Sequence, residues 1–340
     1  MEKPLRWPLV TVVLLAVGFA LFLAACSGKS SRPVGFVAVL GKLPVPAGNP
    51  QTAEKVALGK LLFFDPRLSG NNAIACATCH QASKGLSDGL PRSVGANGEM
   101  SRNAMTVWNV AYMASLHWDG SRASLEDQVS KAIPGVAMAQ PVPALIDELN
   151  AVPVYRERFQ KVFGEGITLA NIARAIAVYE RSLVTYRSPY DRFRAGDRSA
   201  LSAKAKEGMD LFFDQRTQCA SCHSGPLFTD NRWHVLGVPQ VGPKAVDNGR
   251  FDVTHDEQDR GAFKTPTLRN VELSGPYMHD GVFQTLDEVI AFYAGGGGVA
   301  VDKSPLVTPL DLSAKQRAAL VAFLRSLTDT STKIEPPRLP

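Results

Sequence analysis

Two short runs, Cys76-Ala77-Thr78-Cys79-His80 and Cys219-Ala220-Ser221-Cys222-His223, hold four of the five cysteines in this sequence. A C-x-x-C-H run is the pattern that attaches a c-type haem. Two thiols add across the vinyl groups on one porphyrin edge, and the adjacent imidazole reaches the iron as proximal ligand. That chemistry sets the spacing. A lone run would also suit a redox dithiol. A zinc site made from both cysteine pairs is a further alternative, but it leaves the histidine after each pair without a role. The odd cysteine count excludes a fully paired set of structural disulfides. Two haems c are the expected cofactors.

The segments that must position these runs repeat. Gly59 to Arg67 and Gly208 to Arg216 share the pattern G-x-x-L-F-F-D-x-R, each a short amphipathic helix leading to its C-x-x-C-H. Downstream, at a constant offset of 161, Thr106-Val107-Trp108-Asn109-Val110 matches Thr267-Leu268-Arg269-Asn270-Val271. At the same offset Trp118-Asp119-Gly120 matches His279-Asp280-Gly281, and Leu125-Glu126-Asp127 matches Leu286-Asp287-Glu288. Residues 170–183 and 313–327 carry apolar side chains at helical spacing, and strand signals are few. The expected fold is mainly α: two tandem cytochrome-c-like haem domains related by internal duplication, spanning 41–195 and 196–335. The Pro/Gly-rich stretches 88–99 and 237–250 read as loops over the haem edges.

The differences between the halves are as informative as the matches. Leu286, Ile290 and Tyr293 share one helix face, where Tyr293 is either an ordinary core aromatic or a group over the second haem, since tyrosinate ligates ferric iron. The offset maps Tyr293 onto Ala132, which has no ligating group. One closed haem at His223 and one haem with an open position at His80 follow from this asymmetry. An open position suits binding of a small oxidant; a closed one suits electron transfer. Trp118 stands where an inter-haem relay would be needed, or as an ordinary core aromatic.

The chain has 340 residues, 45% hydrophobic and 20% charged, with net charge +5. This is a globular composition, too weakly basic for a nucleic-acid partner. Residues 1–25 open with Lys3 and Arg6 and run apolar from Trp7 to Leu23, as an export signal does. The ending Leu23-Ala24-Ala25-Cys26 resembles a bacterial lipoprotein signal. That resemblance implies a lipid anchor on Cys26, a tether over 26–40 and a place on the periplasmic face of a membrane. The alternative for the same run is an uncleaved transmembrane anchor.

Over roughly 43–328 the sequence resembles the bacterial di-haem cytochrome c peroxidase and MauG family. The resemblance rests on Leu61-Leu62-Phe63-Phe64-Asp65-Pro66-Arg67-Leu68-Ser69, the two C-x-x-C-H runs, Trp118-Asp119-Gly120, Leu125-Glu126-Asp127-Gln128, Phe263 through Asn270, and Pro276 through Gly281. It implies a peroxidatic first haem, an electron-transfer second haem and reduction of hydrogen peroxide. The electrons would come from a small redox protein or, as in MauG, from a protein substrate. It also implies Trp118 as the inter-haem residue, Gln128 as a distal residue, and a calcium ion held by Asn103 and the carbonyls of Ser274 and Pro276. Position 293 is Met in the family's peroxidases and Tyr in its MauG-like members, so Tyr293 points to the MauG-like branch. Two family features are missing. The loop Ser93–Glu99 contains no distal histidine, and Pro134–Met138 contains no distal glutamate. The loss of that acid/base group leaves a membrane-tethered electron-transfer cytochrome as the second reading.

Three further histidines complete the set. His117 precedes Trp118, within reach of the first haem's distal side. His234 reads as structural or close to a haem propionate, and His255 as a solvated residue of the charged loop 252–260. Gly295–Gly298 reads as a helix stop.

Overall fold

The computed structural model describes residues 40–242 and 246–340. The expected leader 1–25, Cys26 and the tether up to residue 39 lie outside the described residues. The described residues belong to one compact unit, Gly35–Pro340.

The helices are α1 (Ala53–Phe63), α2 (Cys76–Cys79), α3 (Leu125–Ala132), α4 (Val142–Asn150), α5 (Pro153–Phe163), α6 (Leu169–Ser182), α7 (Pro189–Arg194), α8 (Ala203–Phe213), α9 (Cys219–Cys222), α10 (Phe251–Thr254), α11 (Leu286–Ala294) and α12 (Ala314–Arg325). Among the described residues none is long and apolar enough to cross a membrane. The strands are β1 (Val94–Gly95) with β2 (Gly98–Glu99), and β3 (Trp233–Val235) with β4 (Ala262–Lys264), two small antiparallel pairs. The β1–β2 hairpin falls inside the stretch 88–99 expected to be a loop. Gly98 at φ +107° supplies the turn. The charged stretch 252–260 likewise contains the end of α10 and a 3-10 turn, with His255 exposed as expected.

Two helix pairs frame the chain. α1 packs on α6, and α8 packs on α12. Each crossing is closed by a glycine. A Cβ on Gly59 would stand 1.9 Å from the carbonyl oxygen of Ala175, and one on Gly208 would stand 1.9 Å from that of Ala319. Only residues without a side chain permit this approach. Around the first crossing, Leu58, Leu62, Phe63, Tyr155, Phe159 and Ile176 form a core; around the second, Tyr190, Phe212, Phe228, Leu320 and Phe323 form another. Each such side chain contributes about 1.5–3 kcal/mol on burial. The C-terminal tail returns to the first core through Ile334 and Leu339, and Arg67 Nη2 donates to the Pro340 carbonyl at 3.1 Å.

The repeat read from the sequence is present in the backbone. α3 and α11 start 161 residues apart, capped by Ser124 and Thr285. The bridges Leu116–Arg122 and Tyr277–Phe283 keep the same offset, as do the left-handed residues Asn109 and Asn270, and Gly120 and Gly281. Asp329 ties the end of the repeat to the linker: its Oδ2 accepts from Thr185 Oγ1 at 2.7 Å and from the amides of Tyr186 and Arg187. Burial opposes its charge. Hydrogen bonds from Ser331, Thr185 and the Arg187 amide nevertheless hold the carboxyl down at about 2.

Candidate functional site

α2 and α9 are single turns that present their cysteines and then stop, so that His80 and His223 follow at the C-terminal ends. Each imidazole is oriented by its own loop. His80 Nδ1 bonds the Leu86 carbonyl at 3.0 Å, and His223 Nδ1 bonds the Phe228 carbonyl at 2.9 Å. With Nδ1 spent on a carbonyl, Nε2 is the nitrogen left to ligate iron, the arrangement that fixes an iron-binding tautomer. Burial lowers both imidazole pKa values and keeps the neutral form that binds metal.

One cavity of about 550 Å³ is lined by Cys79, His80, Cys219, Cys222 and His223. Cys76 packs against the first core beside it. Burial pushes the Cys222 thiol up to about 11 and raises the other three. A reactive redox dithiol needs the opposite shift. Nor do the four thiols converge on one ion: among the described residues only Cys222 joins other candidate ligands, Asp230 and His234. Both alternatives to haem attachment are therefore disfavoured by the structure. The donor set fits two haems: paired thiols, an oriented imidazole and an apolar wall in each half.

The remaining residues expected at the site also line this cavity: Asn103, Trp118, Gln128, Ser274, Pro276 and Tyr293. Trp118 is buried, and its indole Nε1 donates to the Asn103 carbonyl at 3.0 Å. Its own carbonyl accepts from the Lys264 amide at 2.7 Å, which joins a first-half residue to β4 of the second half. Asn103 Nδ2 donates to the Leu90 carbonyl, leaving its side-chain oxygen for a cation. Oxygen atoms of this kind suit calcium.

Tyr293 is the eighth residue of α11 and Ala132 the eighth of α3. Burial raises the Tyr293 phenol pKa strongly, with Cys222 and Cys219 adding to the shift, which sets the phenol beside the second attachment run. No tyrosine of the first half lines the cavity among the described residues. The two missing family features meet at one place: the Ala96 amide, in the loop without histidine, donates to the carbonyl of Ala137 at 2.7 Å. His234 Nε2 pairs with Asp230 Oδ2 at 2.8 Å on the cavity wall.

Two ionisable cavity residues escaped the sequence reading. Glu180, on α6, is buried with Oε2 unpartnered, and burial pushes its carboxyl up to about 8, with Arg181 opposing and Glu126 adding. Lys264 on β4 is buried without a carboxylate partner among the described residues, and burial brings its amine down to about 8. Both sit at apolar-pattern positions, where sequence periodicity predicts core.

Comparison with known proteins agrees with this geometry. Residues 53–199 match the family model described as di-haem cytochrome c peroxidase. The chain is 38% identical to cytochrome-c peroxidase IdrP1 of Pseudomonas sp. (strain SCT), over 96% of this chain and 93% of that protein. It is 39% identical to methylamine utilization protein MauG of Methylorubrum extorquens, over 94% and 88%. Among solved structures it is similar to a MauG-like protein associated with microbial copper homeostasis, with TM-score 0.78 and 32% identity over 84% of this chain and 93% of that one. It is also similar to the diheme peroxidase BthA from Burkholderia thailandensis, with TM-score 0.73 and 25% identity over 83% of this chain and 87% of that one.

Proposed function

This chain belongs to the di-haem cytochrome c peroxidase and MauG family, and from that premise we propose how its own residues divide the reaction. The protein is a di-haem c-type peroxidase, an oxidoreductase that acts on peroxide with electrons from a redox protein or a protein substrate. The two haems, when bound, supply the redox-active irons.

In our reading Cys76 and Cys79 would tether the peroxidatic haem and His80 would hold its iron. Cys219 and Cys222 would tether the electron-transfer haem, and His223 and Tyr293 would hold its iron. Gln128 orients peroxide over the first haem. Trp118 lies in the path between the two, fixed by its hydrogen bond to Asn103. Calcium, held by Asn103, Ser274 and Pro276, would stiffen that path. The single observation that carries this division is the asymmetry of one shared cavity, where Tyr293 stands against the second attachment run and its counterpart Ala132 offers no ligand.

Either donor, a small redox protein or a protein substrate, delivers its electrons to the same second haem. A Cys26 lipid anchor on the periplasmic face supports either. Replacement of Cys26 by Ser should release the protein from the membrane fraction.

Peroxide titration of the reduced holoprotein tests the reading. We expect one peroxide consumed per pair of electrons taken from the two haems. Reduced haems that persist in excess peroxide would leave an electron-transfer cytochrome instead.

A further inference from the structure

Peroxide cleavage requires a proton to move from one oxygen to the other, and the place where the family carries a glutamate holds Ala137 here. The cavity wall on the His80 side offers another group. His117 lines the cavity with Gln128 and Ala137. Its ring makes one hydrogen bond among the described residues, Nδ1 to Ser121 Oγ at 3.1 Å. The Ser121 amide donates to Asp119 Oδ1 at 2.9 Å and the Arg102 guanidinium pairs with Asp119 Oδ2 at 2.6 Å, contacts that hold the carboxylate ionised against the cost of burial. With Ser121 Oγ accepting from His117 Nδ1–H, Nε2 is the nitrogen left to act as base, on a ring that lines the cavity.

The second half lacks this relay. The 161-residue offset places Met278 opposite His117 and Val282 opposite Ser121. The backbone is the same in both, left-handed at φ +68° for His117 and +73° for Met278. The conformation therefore belongs to the repeat, and the imidazole and hydroxyl belong only to the half whose haem lacks a tyrosine.

We propose that His117 is the catalytic proton carrier of the first haem, replacing the absent glutamate, with Ser121 and Asp119 as its positioning residues. This rests on the peroxidatic assignment of the His80 haem. Nε2 takes the proton from one peroxide oxygen and returns it to the other as the O–O bond breaks, releasing water. The remaining oxygen leaves as a second water with two electrons from the donor and two protons from solvent. The charges that act on the ring are Asp119, which favours the imidazolium, and Arg122, Arg102 and His80, which oppose it; Arg102 is further held by Asp247. Burial is the largest influence and lowers the pKa, so the base form prevails at neutral pH.

The test uses the full di-haem protein and its His117→Phe, Ser121→Ala and Glu180→Gln variants. Three readouts are needed: ferric spin state, the rate of cyanide association, and the rate of the peroxide reaction across pH. Cyanide enters as HCN and must lose its proton, so it reports the base without turnover. His117→Phe should slow both reactions by about 10²–10⁴-fold and abolish the rise of rate with pH, while the high-spin ferric signal persists. Ser121→Ala should keep most of the rate and shift the pH profile. Unchanged rates and profile in His117→Phe would overturn the proposal. So would a low-spin wild-type first haem that turns high-spin in that variant, since His117 would then be an iron ligand, or loss of the pH dependence in Glu180→Gln alone. Absence of any high-spin haem in all forms would instead defeat the peroxidatic assignment itself.

Discussion

The indole nitrogen of Trp118 donates to the backbone carbonyl of Asn103 at 3.0 Å. The proposed inter-haem residue is thus held by a residue of the proposed calcium site. Asn103 also receives a second-half contact, because its amide donates to the His279 carbonyl at 2.7 Å. Removal of calcium by a chelator should loosen Trp118 and slow electron transfer between the haems, with recovery on adding calcium but not magnesium. Magnesium demands near-ideal octahedral geometry and sheds its water reluctantly, whereas calcium accepts irregular oxygen shells. Flash reduction of the holoprotein, followed at the two haem bands, measures this directly. An unchanged rate in chelator would separate Trp118 from the cation.

Ala132 and Tyr293 occupy the same place in α3 and α11. Replacing Ala132 with Tyr should therefore carry the first haem towards six-coordination and suppress its reaction with peroxide. The optical spectrum should lose its high-spin band. Retention of both band and reactivity would mean that the two helices do not present position eight alike.

Gly59 and Gly208 set the two helix crossings. An added methyl at either would overlap a backbone carbonyl, which cannot rotate away. We expect Gly59→Ala and Gly208→Ala each to destabilise the holoprotein by about 3 kcal/mol, read as a lower urea midpoint. A loss below about 0.5 kcal/mol would show that the crossings relax freely.

Glu180 predicts a pH dependence of stability. Its folded pKa of about 8 lies above the usual carboxyl range, so between the unfolded and folded values the folded state binds the extra proton. Stability from this group is full at acidic pH and falls as pH rises to about 8, by at most ~1.4 kcal/mol per pH unit. Glu180→Gln should flatten that slope in urea unfolding across pH 5–8. A parallel slope in wild type and variant would place the titration elsewhere.

Much of this architecture is legible in the sequence because it is periodic or repeated. The attachment runs and the 161-residue offset follow from spacing alone, and the helical segments read at 170–183 and 313–327 stand as Leu169–Ser182 and Ala314–Arg325. Glu180 is hidden because it continues the apolar stripe of Ile172 and Ile176, where the pattern predicts an ordinary core side chain. The His117–Ser121–Asp119 relay is hidden for another reason: it depends on a left-handed turn at His117, and no apolar pattern encodes that turn. The return of Ile334 and Leu339 to the first core is a long-range contact between segments with no shared motif.

The central claim is that the His80 haem is open and the His223 haem is closed by Tyr293. Low-temperature EPR of the ferric holoprotein, recorded beside Tyr293→Phe, tests it most directly. One high-spin and one low-spin haem in equal amounts are expected in the wild type, and two high-spin haems in the variant. Two low-spin haems in the wild type, or a low-spin signal that survives loss of the phenol oxygen, would contradict it.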